Sequence, residues 1–258
     1  TGFAHFSEHL LFEGTENIKR GEWFKIVTGN GGVNNANTTE DRTYYYEVFP
    51  SNNLELGLWM ESERMLHPVI NQIGAKLEEF QAFNKKFYIP NNAVLVVAGD
   101  IDAEKAKVWI KQYFGNIPRG EKIERKTYVE DDIVTQRNAV YEDGNIQIPM
   151  VVTAYRTPSM KTREARVLDY ISSILSDGKS SRMYKKIVDD NKTALQIGAF
   201  SYNQEDYGTY IIYGLPQAPH TTADITREVD EEILKLQTEL ISEKELQKLQ
   251  NKFENKFV

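Results

Sequence analysis

The sequence predicts an α+β fold of two homologous α/β-sandwich-like units, each an antiparallel-rich sheet packed with helices. Three observations carry that expectation. At 258 residues the chain is long enough for two domains of the usual ~100–200 residues. A polar, unpatterned stretch at 117–137 reads as a linker between residues 1–116 and 138–258. The two flanks also echo each other. The first holds a helix "GEWFKIV", a hairpin "VNNANTTEDRTYYYEVF" and a helix; the second holds a helix "SRMYKKIV", a hairpin "LQIGAFSYNQEDYGTYIIYGL" and a helix.

Each element follows from periodicity. Apolar residues at helical spacing predict helices near 2–12, 21–28, 53–66, 75–87 and 103–113. Alternating or continuous apolar runs predict strands near 33–38, 43–49 and 93–99. After the linker, strands are expected near 138–141 and 147–156, helices near 163–175 and 181–188, strands near 194–203 and 208–215, and two final helices. "SDGKSS" lacks the spacing of a phosphate-binding loop and reads as a turn between helices. The last stretch, "SEKELQKLQNKFENKFV", stops while still amphipathic, and no signal-peptide pattern opens the chain. The second unit therefore reads as truncated at its C-terminus, within a longer chain cut at both ends.

Composition narrows the function. With 40% apolar and 27% charged residues the class is globular, neither disordered nor fibrous. The longest apolar runs fall far short of the ~20 residues of a spanning helix. A net charge of −7 without a basic face argues against nucleic acid as a partner. The chain has no cysteine, so a thiolate nucleophile is excluded and any metal must sit on imidazole and carboxylate.

The chemistry concentrates in "HFSEHLLFEGT". His5 and His9 are four residues apart on an expected helix, so both imidazoles can reach one ion at the ~2.0–2.1 Å that zinc requires. Glu8 lies beside them, placed to act as general base on a zinc-bound water whose pKa falls to ~7. The same carboxylate could instead support the ligands from behind. Two histidines merely packed on a helix are the other reading; the spacing and the "LLFEGT" that follows favour zinc. His67 in "MLHPVI" reads as a helix-end residue, and His220 in "QAPHTTAD" as an exposed helix start.

"HFSEHLLFEGT" resembles the signature of the inverted-motif zinc metallopeptidases, the M16 or pitrilysin (insulinase) family, which includes insulin-degrading enzyme and the mitochondrial processing peptidases. The resemblance continues in order through "GGVNNANTTEDRTYYYEV", "ERMLHPVI", "FNKKFYIPNNAVLVVAGDI" and "DGKSSRMYKKI". It implies the half-chamber of an M16-type peptidase, with His5 and His9 as zinc ligands and Glu8 as the catalytic base. It also implies that the strand around Asn35, Ala36 and Asn37 pairs with an extended substrate by β-addition. On sequence alone "NNANTT" reads equally well as an edge strand that its polarity keeps from aggregating.

Two departures qualify the resemblance. The family's third ligand is a glutamate on a later helix, roughly seventy-five residues after the second histidine, which completes three protein ligands. That count lands in "QAFNKKFY", where there is no acid; Glu78 and Glu79 match a different family element. The junction "HPVINQIGAKLEEF" reads as though the ligand helix were omitted between Gly74 and Ala75. The Arg and Tyr by which a second homologous domain can hold substrate also have Asp189 and Gln196 at their positions. The expectation is thus a zinc-carrying half that needs a homologous second half, partner subunit or second copy to close a chamber around a peptide or unfolded protein. The alternative is an inactive family member that binds peptides or scaffolds an assembly. The compartment stays open, with a lean to the bacterial periplasm.

Overall fold

The computed structural model describes residues 2–70, 77–126 and 128–255. The chain divides into two compact units, Thr1–Thr127 and Tyr128–Val258.

The first unit opens with helix α1 (Gly2–Leu10), followed by α2 (Trp23–Gly29), strands β1 (Val33–Thr38) and β2 (Thr43–Val48), and helices α3 (Leu54–Leu66), α4 (Leu77–Phe87) and α5 (Ala103–Phe114). Gly14 turns the chain after the motif helix. Its φ of 140° suits glycine, and a Cβ there would sit 2.7 Å from the Ile18 carbonyl oxygen. β1 and β2 form an antiparallel hairpin in register Val33↔Val48 to Thr38↔Thr43. A two-stranded hairpin is marginal alone; here α1 and α2 pack against it. Ile18, Trp23, Val27 and Met60 form a core with Phe12 and Phe49 against them, and Leu11, Ile70 and Phe80 form a second cluster. Each such side chain contributes about 1.5–3 kcal/mol when fully buried. Asp102 caps α5, accepting from the amides of Glu104 and Lys105.

The second unit contains a three-stranded antiparallel sheet, β3 (Val151–Pro158), β4 (Ala194–Tyr202) and β5 (Tyr207–Pro216), in the order β3-β5-β4. Central β5 buries every second residue. Tyr210 and Ile212 on it meet Leu175 of α6 (Arg163–Ser176), Ile187 of a wide-turn helix, Tyr184–Asp190, and Ile225 and Val229 of α7 (Thr222–Thr238). Thr221 with Asp224, and Ser242 with Glu245, form reciprocal capping boxes at the starts of α7 and α8 (Glu243–Glu254).

The α+β class with antiparallel sheets agrees with the sequence reading. Two expected strands do not form. Residues 93–99 and 138–141 form no strand and join no ladder among the described residues, and Val94, Val96, Val140 and Tyr141 are exposed. An apolar run specifies willingness to pair; the ladder itself needs a neighbour. The strand expected from 147 starts at Val151. The junction of Gly74 and Ala75 lies outside the described residues.

Candidate metal and peptide site

α1 presents two faces. Ser7 and Glu8 are buried against the unit, while His5 and His9 are exposed. The Nε2 atoms of His5 and His9 lie 3.3 Å apart. Two nitrogens each ~2.0–2.1 Å from one tetrahedral ion would be ~3.3–3.4 Å apart. The imidazoles thus have the spacing of two zinc ligands. The described residues hold no cluster of three or more His, Asp or Glu able to bind a metal, so the third protein ligand of a catalytic zinc site is not among them.

Glu8 is held from the hairpin. Thr38 Oγ1 donates to Glu8 Oε2 at 2.5 Å, and the Thr38 hydroxyl also lies 3.3 Å from Thr43 Oγ1. Tyr88, just beyond α4, donates its hydroxyl to Thr43 Oγ1 at 3.3 Å. Sequence reasoning missed Thr38, Thr43 and Tyr88; the one available signal was that "NNANTT" places a hydroxyl at the end of the strand. Burial, and then the neighbouring Tyr88, hold the Tyr45 phenol above its ordinary pKa, so it stays neutral beside this group.

The end of α1 is anchored by a buried arginine. Arg64 Nη1 donates to the Leu11 carbonyl at 2.9 Å, and its guanidinium lies over the rings of Trp23 at 4.0 Å, Phe12 at 4.4 Å and Tyr45 at 4.4 Å. On the other side of the motif Phe6 packs on Phe80 of α4, ring centroids 4.9 Å apart.

Asn35, Ala36 and Asn37 sit on β1, whose only strand partner among the described residues is β2. The Thr39 amide donates to the Arg42 carbonyl, which fixes the phase of the ladder. Bonded pairs alternate in antiparallel sheets, so Asn37/Tyr44 and Asn35/Tyr46 are bonded pairs. The backbone N–H and C=O groups of Asn34, Ala36 and Thr38 therefore point away from β2, to the open edge. The Asn35 side chain accepts from the Ala36 amide at 2.9 Å. His67 caps the end of α3 and lies 3.3 Å from Glu16, apart from the motif.

A family model described as "Insulinase (Peptidase family M16)" matches residues 1–88, and one described as "Peptidase M16 inactive domain" matches residues 75–253. The chain belongs to peptidase family M16. The zinc protease PqqE of Helicobacter pylori is 28% identical over 258 residues, taking in 80% of this chain and 58% of that protein. An uncharacterized zinc protease of Rickettsia felis is 21% identical over 296 residues, 95% of this chain and 70% of the relative. The crystal structure of a protease from Helicobacter pylori superposes with a TM-score of 0.92 at 23% identity, over the whole of this chain and 74% of that one. That likeness shows the M16 fold.

This chain therefore spans little more than half the length of the PqqE relative. The Rickettsia match, at 296 residues, is longer than this 258-residue chain, so at least 38 of its positions belong to the relative alone. Among the described residues of the M16 chain, no helix is long and apolar enough to cross a membrane.

Proposed function

We propose that this chain is the zinc-binding half of an M16 endopeptidase that hydrolyses peptides or unfolded segments. The observation that carries the reading is the 3.3 Å approach of His5 and His9 Nε2 on the helix that also carries Glu8, whose carboxylate Thr38 holds. His5 and His9 would hold the ion. When bound, zinc supplies Lewis-acid polarisation of the scissile carbonyl and an acidified water. Glu8 takes the proton of the attacking water on Oε1, the carboxylate oxygen opposite the one engaged by Thr38, and passes it to the leaving amine. Asn35, Ala36 and Asn37 offer the β1 edge to an extended substrate strand. A homologous second half or partner subunit closes the chamber.

The missing third ligand fits the lengths of the relatives, which carry residues inside the matched span that this chain lacks. The inactive-domain model also starts at residue 75, next to the junction where the sequence reading places an omitted segment. Zinc content and cleavage of an unstructured fluorogenic peptide test the reading together. Glu8→Gln is expected to retain the wild-type zinc content and lose roughly 10²-fold or more of the hydrolysis. Undiminished turnover in Glu8→Gln would remove Glu8 from the mechanism.

The absence of a third ligand among the described residues favours one second reading, a non-catalytic M16 homologue that binds or scaffolds extended peptides. Peptide binding by a zinc-free wild-type chain, without cleavage, selects it.

A further inference from the structure

We propose that Thr38 is a positioning residue: its side chain fixes the carboxylate of Glu8 while its backbone forms part of the open strand edge, tying base and peptide register together. The catalytic half of this proposal rests on the peptidase reading above.

Direction in the hydroxyl chain supports it. An ionised carboxylate only accepts hydrogen bonds, so Thr38 must spend its single hydroxyl proton on Glu8 Oε2. Thr38 can then only accept from Thr43, which in turn accepts from Tyr88, whose hydroxyl also reaches the Ala4 carbonyl at 3.5 Å. Three hydroxyls from β1, β2 and the end of α4 are thus polarised toward one carboxylate. The link to Glu8 is short, 2.5 Å against 3.3 Å for the two behind it, and it lies in a place with little water, since Glu8 is 7% exposed. Bonds to a charged acceptor are about twice as strong as neutral ones, so the last link dominates.

The backbone supplies the second half. Thr38 closes β1, and the ladder phase set by Thr39 and Arg42 turns its N–H and C=O to the open edge, in line with those of Ala36. A strand added at that edge would pair with the same residue that holds the base.

Thr38→Val keeps the β-branched shape and removes the proton donor; Thr38→Ser keeps the donor. With an unstructured peptide substrate, Thr38→Val is expected to lower kcat by about tenfold or more, and Thr38→Ser to stay within about threefold of wild type. KM should change less than about twofold in both, because the backbone edge is untouched. An unchanged kcat in Thr38→Val overturns the proposal, as does a Thr38→Ser protein as impaired as Thr38→Val at equal Tm.

Glu8→Gln in the same assay separates this from failure of the peptidase reading. If wild type shows no Glu8-dependent cleavage, the peptidase reading falls, and the Glu8 side-chain carboxyl ¹³C resonance of the metal-free protein decides the positioning role. A resonance moved in Thr38→Val but not in Thr38→Ser supports it; one unmoved in Thr38→Val overturns it.

Discussion

Arg64 of α3 donates Nη1 to the carbonyl of Leu11, the residue that follows the motif helix, at 2.9 Å. The same guanidinium donates through Nε and Nη2 to Glu61 at 2.9 and 3.1 Å and is enclosed by Phe12, Trp23 and Tyr45. It is 5% exposed. A helix that carries two exposed histidines on one side is thus pinned at its end by a buried charge on the other.

Arg64→Leu is expected to destabilise the first unit strongly. It leaves the half-buried Glu61 without its cation and the buried Leu11 carbonyl without its donor, a cost of about 1–3 kcal/mol for the unsatisfied buried group alone. Arg64→Lys should recover only part, because an ammonium cannot reproduce the planar fork or its stacking on three rings. Urea unfolding of the three proteins measures this. Full stability in Arg64→Lys would show that charge alone matters at the site.

Glu47 makes the first unit less stable as pH rises from 4.5 to about 8. Its Oε1 accepts from Trp23 Nε1 at 2.9 Å, and burial, then the charge of Glu61, push its carboxyl up to about 8 from 4.5. The folded protein therefore keeps a proton that the unfolded chain has released between those values. The contribution is fully present below pH 4.5 and is lost as pH rises through about 8. The Tm should fall across that interval, and Glu47→Gln, which stays neutral, should flatten the slope. An unchanged slope in Glu47→Gln would assign the effect elsewhere.

Glu245 gives the second unit the opposite dependence. Arg182 donates to both its carboxylate oxygens at 2.7 and 2.9 Å, and the Ser242 amide donates to it as well. These bonds, the arginine's first, hold the carboxyl down at about 2 against 4.5. The stabilisation is present above pH 4.5 and lost as pH falls through about 2. Arg182→Met should lower the Tm of the second unit at neutral pH and make little difference near the acid end, a convergence that calorimetry across pH would reveal.

The sequence made half of the site legible because that half is local. His5, Glu8 and His9 share one helical turn, and a spacing of four residues states their geometry directly. Thr38 is thirty residues from Glu8, and its polarity served a protective edge strand as well as a carboxylate partner. Arg64 sits in the helix expected near 53–66, yet its ring cage is assembled from Phe12, Trp23 and Tyr45, distant in sequence. The strand expected at 93–99 fails for the same reason. Its apolar pattern is local, but pairing requires a neighbour elsewhere in the chain.

The alternation in β1 allows a last prediction about the strand edge. The Ala36 amide points to the open side and, among the described residues, is engaged only by its neighbour Asn35, whereas Asn37 stands opposite Tyr44 in a bonded pair. Proline is tolerated in a strand where the lost N–H faces outward and damaging where it belonged to the ladder. Ala36→Pro should keep a near-native Tm while weakening the binding of an extended peptide by about tenfold, the loss of one main-chain bond and the close approach it permits. Asn37→Pro should lower the Tm by disrupting the hairpin that carries Thr38. Peptide titration by fluorescence anisotropy, read beside thermal melts of both variants, separates the two effects. Peptide affinity unchanged in Ala36→Pro would place the bound strand away from β1.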